Sequence, residues 1–409
     1  ATIVAVGNQG NFYSFFKRMK GIKKYTHKER EKVLLEMVPL IKKKFGKNLL
    51  AIAARGSFAR KTEGPYSDLE LFTFLKEMPR RQKKLPYAKM HKMRDGLSVE
   101  LIWITGKTYI NEVKEVNGSW FGQGSEKLLA VYNKPFVDKL SKYKAKDVKN
   151  KTLNEAFALW PSIFFSSSMV LDIADKKDHE KIALALYHMF ENMLNFLAFI
   201  NQTPYTSGTK KILESKKFKI KPKDFSKLTT LIVNGNFRNY FEIKKLVTSV
   251  VGDIKKYLEK AGYESSEELS IKKRSDMFGM IDKVKRYEQA VATWQKVQES
   301  TTKTLNAAEI KNAYGMVTAI NDMFFQYLKI LSCLNAKTLR FSQIITDAKK
   351  LKYQPIGFSE LITIVENGEY KSYSKIKKAV IDIFSELENR LEGMGYKLYQ
   401  DNVDPNKNE

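Results

Sequence analysis

The sequence predicts an α+β protein in which a small strand-containing domain is followed by two tandem, repeat-related helical bundles. Three observations predict it. Apolar runs of strand length occur at residues 48–54 (NLLAIAA), 69–75 (LELFTFL) and 97–104 (LSVELIWI), all before residue 105. Beyond them the Met, Phe and Leu residues form helical stripes at 183–200 and 317–334, which read as core. The segment 234–263 (NGNFRNYFEIKKLVTSVVGDIKKYLEKAGY) recurs at 367–396 (NGEYKSYSKIKKAVIDIFSELENRLEGMGY), a period of 133. Upstream, 185–201 (ALYHMFENMLNFLAFIN) pairs with 319–335 (AINDMFFQYLKILSCLN) at nearly the same offset. The layout that follows is an N-terminal extension at 1–25, a strand domain at 26–150, and helical copies at 151–266 and 275–400. A polar boundary (265–274, SSEELSIKKR) separates the copies and a polar tail occupies 401–409. The NFYSFFKRMK segment of the extension has the composition of a docking strand or helix.

The elements of the strand domain follow in order. Thr26-His-Lys-Glu29 is a capping-box signal ahead of an apolar-periodic run to Phe45, and Gly46 is a plausible stop. The strand at 48–54 runs into Gly56-Ser57, which opens a short helix, and Gly64-Pro65 turns the chain into the strand at 69–75. Unpaired N–H groups at such a glycine-serine turn can bind a phosphate, with Gly56 giving close backbone approach and Ser57 and Arg60 as side-chain donors. Residues i and i+2 of a strand face the same way, so the carboxylates of Asp68 and Glu70 converge. Two hard oxygen ligands suit Mg²⁺, and Glu100 on the third strand is placed to complete the set. A phosphate loop and three carboxylates are the parts that metal-assisted phosphoryl-type transfer requires. Gly-Ser pairs and D-x-E strands are each common by themselves; their combination at this spacing is the specific signal.

GSFARKTEGPYSDLELF (56–72), with VELIW about thirty residues further on, resembles the kanamycin nucleotidyltransferase branch of the DNA polymerase beta-like nucleotidyltransferase superfamily. The resemblance covers residues 26 to about 265. It implies a small mixed α/β domain followed by a helical domain, and transfer of AMP from Mg·ATP to a drug hydroxyl. By that resemblance Ser57 and Arg60 hold the triphosphate, while Asp68, Glu70 and Glu100 hold the metal and position the acceptor. It further implies a site between two subunits, where a helix supplies a glutamate base and, four residues later, a lysine. The corresponding first-copy segment, Trp160 to Met169, has neither residue. In the second copy Glu299 and Lys303 stand at i and i+4, on one helix face. The second copy is therefore expected to act as an internal pseudo-partner, Glu299 deprotonating the acceptor hydroxyl and Lys303 contacting the triphosphate, in a monomer with one complete site. The plain alternative for that pair is a surface contact worth ~0.2–0.5 kcal/mol.

Composition fits a cytoplasmic enzyme. A single cysteine, Cys333, excludes an internal disulfide framework and a cysteine-based zinc site, and His27, His91, His179 and His188 lack ligand spacing. Any metal therefore falls to carboxylates. The longest apolar stretch, about 159–174, is broken by Pro161 and three serines, so no membrane role is expected. Lysine and arginine number 72 against 45 acidic residues, a net charge of +27, clustered at 80–84, 142–151 and 210–223. Such a surface attracts polyanions and repels polycations such as aminoglycosides. Ahead of Glu100, where the resemblance implies an acidic substrate contact, stands Lys89-Met-His91-Lys92, with Asp95 the nearest carboxylate. Three readings stay open: adenylylation of a small antibiotic-like molecule, nucleotide addition to RNA or to a nucleic-acid-associated protein, and a catalytically silent structural component. The presence of all three expected carboxylates favours the first two over the third.

Overall fold

The computed structural model describes residues 21–116, 126–263, 277–278 and 286–395. The expectations for 1–20, for the boundary stretch and for the polar tail lie outside the described residues. The chain divides into two compact units, one comprising 1–112, 126–143 and 392–409, the other 113–125 and 144–391. The first helical copy, and the second as far as Leu391, fall within the second unit.

The first unit is built on a five-stranded mixed sheet. Its helix α1 (His27–Phe45) begins with the capping box: Thr26 Oγ1 accepts the Glu29 N–H at 3.3 Å and the Glu29 carboxylate accepts the Thr26 N–H at 2.7 Å. Val33, Leu34, Met37, Ile41 and Phe45 are buried along one stripe of it. The chain then forms β1 (Leu49–Ala54), α2 (Gly56–Arg60), β2 (Leu69–Leu75), β3 (Tyr87–Arg94), β4 (Leu97–Thr105), α3 (Gly106–Lys114), β5 (Leu129–Tyr132) and α4 (Lys134–Leu140). The strand order is β3-β4-β2-β1-β5, with β2 and β4 parallel and the other neighbours antiparallel.

Alternation divides the central strands between two faces. Leu69, Leu71 and Leu75 of β2 and Val99, Leu101 and Trp103 of β4 join the α1 stripe in one core. Phe72 and Phe74 point the other way, edge-on to Tyr109 of α3, and Phe74 also meets Phe136 of α4. Glu70 and Glu100 belong by register to this second face. Strands β3 and β5 were not anticipated from sequence. The buried Ala88, Met90 and Met93 of β3 are interleaved with lysines, the composition of a protected edge, and β5 has only four residues. The two-residue Asp95-Gly96 loop, with φ of +50° and +88°, was the available hairpin signal.

The second unit repeats one order of helices. The first series is α5 (Val148–Asp175), α6 (His179–Ile200), α7 (Lys211–Ser215), α8 (Phe225–Val233) and α9 (Tyr240–Lys260). The second is α10 (Arg286–Glu309), α11 (Ala313–Asn335), α12 (Ile344–Lys349), α13 (Phe358–Asn367) and α14 (Tyr373–Gly393), with a short β6/β7 pair at Met277–Phe278 and Leu339–Arg340. Trp160 and Trp294 are buried at matching places in α5 and α10. Helices α5 and α6 are long and apolar enough to cross a membrane by length and composition alone; the α6 window is 78% buried, as a core helix is, and the α5 window 39%.

Candidate active site

The site is assembled at the start of β2 and β4. Gly56 opens α2 with φ +66°, and a Cβ there would collide with Glu70 Oε2, so Glu70 lies directly against the glycine turn. Glu70 and Glu100 are register partners on the parallel strands, which makes their side chains neighbours on one face. Asp68 sits one residue ahead of β2, and its charge is felt by both Arg30 and Arg55.

The GPYSD loop is held from behind by Arg30, whose side chain is 1% exposed. Its guanidinium donates to the carbonyls of Tyr25 at 2.6 Å, Gly64 and Pro65 at 2.9 Å, and Ser67 at 3.0 Å. Ser67 Oγ accepts the Gly64 N–H at 3.0 Å and closes the turn that delivers Asp68. The loop motif is thus a carbonyl cage for a buried arginine, which fixes where the first carboxylate emerges.

The predicted residues meet only in part. Glu70 and Glu100 are neighbours on adjoining strands and Asp68 immediately precedes β2, but among the described residues no group of three acidic, histidine or cysteine side chains is arranged to hold a metal ion. Glu100, 6% exposed, is ion-paired with Lys89 of the edge strand β3, in the diagonal position across the ladder. Glu70 faces Arg55 at 3.8 Å. Asp68 and Glu70 offer the hard oxygens that Mg²⁺ takes, while at Glu100 a lysine ammonium competes for the third. The Ser57 hydroxyl makes no side-chain hydrogen bond among the described residues, and Arg60 is 19% exposed.

Two residues of this site were missed from sequence. Arg55, 16% exposed, lies over the Phe72 ring at 4.8 Å and reaches Glu126 Oε2 at 2.9 Å. Burial pulls its pKa down, but Glu70 and Glu126 more than offset that and raise it. Glu126, 2% exposed, accepts the Gly56 N–H through Oε1 at 3.0 Å, and Arg60 stands 3.6 Å from the same oxygen. Burial pushes its carboxyl above the usual range, against the pull of Arg55. Glu299 and Lys303 share a face of α10 in the second unit, paired with each other at 2.5 Å and 33% and 46% exposed.

A family model described as the KNTase C-terminal domain matches residues 170–264. That stretch of the chain is similar to the C-terminal domain of kanamycin nucleotidyltransferase, and it is separate from the motif at 56–72. No curated protein matches the sequence. Among solved structures, a nucleotidyltransferase-like protein from Exiguobacterium sibiricum 255-15 is similar over 60% of this chain and 82% of its own, at 9% identity and a TM-score of 0.34, too slight a likeness to carry an argument.

Proposed function

We propose that the protein is a Mg²⁺-dependent nucleotidyltransferase that transfers AMP from ATP to a hydroxyl of a small molecule. The observation that carries this is the pairing of Glu70 with Glu100 on parallel strands, with Glu70 pressed against the Gly56 turn and Asp68 beside it. Asp68 and Glu70, with Glu100 once Lys89 releases it, are the residues to hold Mg²⁺. Bound there, the ion would neutralise charge on the phosphates and the leaving pyrophosphate. Ser57 and Arg60 bind and orient the triphosphate. The acceptor hydroxyl forms the new bond to the α-phosphorus as pyrophosphate leaves, and Glu299 is assigned to take the hydroxyl proton while Lys303 contacts the triphosphate.

The helical unit supports an internal pseudo-dimer. The repeat-equivalent Gly235 and Gly368, both with φ +67°, pack backbone to backbone, and a Cβ on Gly235 would overlap the Gly368 carbonyl. The equivalent Phe237 and Tyr370 meet edge-on at 6.1 Å. Equivalent residues that touch each other are what an isologous pair produces on its two-fold axis. The chain is accordingly proposed to act as a monomer. A second reading, a catalytically silent component of this fold, is favoured by one observation, the Lys89–Glu100 ion pair on a carboxylate the chemistry needs free. AMP transfer by the wild type, by Asp68→Ala and by Glu299→Gln separates the two. The proposal expects the Asp68 variant to lose transfer and the Glu299 variant to lose about 10²–10⁴-fold. An inactive wild type would support the silent reading, and an unimpaired Glu299→Gln would remove Glu299 as the base.

A further inference from the structure

We propose that Arg55 is a further phosphate-binding residue and that Glu126 is a built-in occupant of the same cradle, which a nucleotide's phosphate must displace. The inference rests on the reading of Gly56 to Arg60 as the phosphate site.

The cradle is built chiefly from guanidinium side chains and not from the N-terminus of the five-residue helix α2. Two guanidinium groups converge on one carboxylate that is 2% exposed: Arg55 on Oε2 at 2.9 Å and Arg60 on Oε1 at 3.6 Å. The Gly56 N–H completes the ring of donors at 3.0 Å. Two of the donors assigned to phosphate from the sequence, the Gly56 N–H and Arg60, here serve a protein carboxylate, and Arg55 joins them. Glu126 Oε1 and Oε2 stand in for two oxygens of a phosphate group.

The fit of that stand-in is incomplete. The Nε atoms of Arg55 and Arg60 are both buried without a hydrogen-bond partner. A planar carboxylate with two oxygens leaves these donors unspent, whereas a tetrahedral phosphate brings three oxygens and more charge to the same cations. Arg55 also ties the cradle to the metal side, because its Nε lies 3.8 Å from Glu70. Displacing Glu126 would therefore free Arg55 for the phosphates and alter the partner of a carboxylate assigned to the metal. Without ligand, Glu126 prevents two buried arginines from facing each other uncompensated.

The test is calorimetric binding of ATP, and separately of inorganic pyrophosphate and inorganic phosphate, to the full chain as wild type, Glu126→Ala, Glu126→Gln and Glu126→Ala/Arg55→Ala. Removing the competing carboxylate is expected to tighten ATP about tenfold or more, with Glu126→Gln intermediate, and adding Arg55→Ala should reverse the gain. If Glu126→Ala does not fold, as judged by its melting transition, the Gln variant carries the test alone: tighter ATP supports the inference, and unchanged or weaker ATP overturns it. ATP bound equally by wild type and both single variants would overturn the inference and leave the nucleotide reading intact. Tightening of phosphate and pyrophosphate without any ATP binding would uphold the exchange at Glu126 and reject the nucleotide reading. No binding of any of the three by any form would reject both.

Discussion

Gly56 has two independent reasons to be glycine. Its φ of +66° is a region L side chains rarely adopt, and the space a Cβ needs is already held by Glu70. Gly56→Ala is expected to cost about 1–3 kcal/mol from the backbone strain alone and to weaken nucleotide binding, because relief comes only by moving Glu70. Denaturant unfolding and ATP titration of this variant check it; wild-type values in both would show that Glu70 does not depend on the turn. Around this glycine the shared face of Glu70 and Glu100 follows from period-two alternation and the parallel register of β2 with β4. Arg55 was hidden because it ends an otherwise apolar run, where it reads as a strand terminus. Glu126 was illegible for a deeper reason: it comes from a segment 70 residues away, and nothing local marks a carboxylate that a loop will bury against arginines. Lys89 was noticed as a charge ahead of Glu100, but its role as that carboxylate's partner needed the β3/β4 register.

At the scale of elements, helices were read better than strands. The long apolar stripes of α6 and α11 are buried along nearly their whole length, so their periodicity survives in sequence. The capping box at Thr26 and the turn at Gly64-Pro65 were likewise local signals with local causes. The edge strand β3 mixes lysines with buried apolar residues, and its identity is decided by the partner strand β4 more than by its own residues. The two Asn-Gly turns show how a repeat becomes a contact. Each glycine takes a left-handed conformation and each has its Cβ position filled by the other turn, so neither can change alone. Gly235→Ala and Gly368→Ala are each expected to destabilise the helical unit by about 2–5 kcal/mol through strain and overpacking. Because the two sites touch, the double variant should cost less than the sum of the singles. Thermal unfolding of the three variants decides; small, strictly additive effects would mean that the turns do not form a shared interface.

For the molecule as a whole, the repeat and the charge bear on partners. If the second helical copy replaces a second subunit, the chain should remain a monomer of 47.2 kDa by light scattering at micromolar concentration; a stable symmetric dimer would remove the reason for the internal pair. The excess of 27 positive charges makes a polycationic acceptor unfavourable and leaves neutral or anionic acceptors preferred at long range. The α+β class could be read from sequence because the apolar strand runs are confined to the first part of the chain and long helical stripes follow them, whereas the acceptor could not, because its contacts depend on surfaces that no motif records.

The most direct measurement is transfer of α-labelled AMP from Mg·ATP, offered in parallel to a panel of aminoglycosides and lincosamides and to total RNA, with Asp68→Ala as the blank. The expected result is label on a small-molecule hydroxyl that disappears in the Asp68 variant and on omission of Mg²⁺. Label on RNA would contradict the small-molecule reading and make the basic surface the acceptor site, and no Asp68-dependent label on any acceptor would contradict nucleotidyl transfer itself.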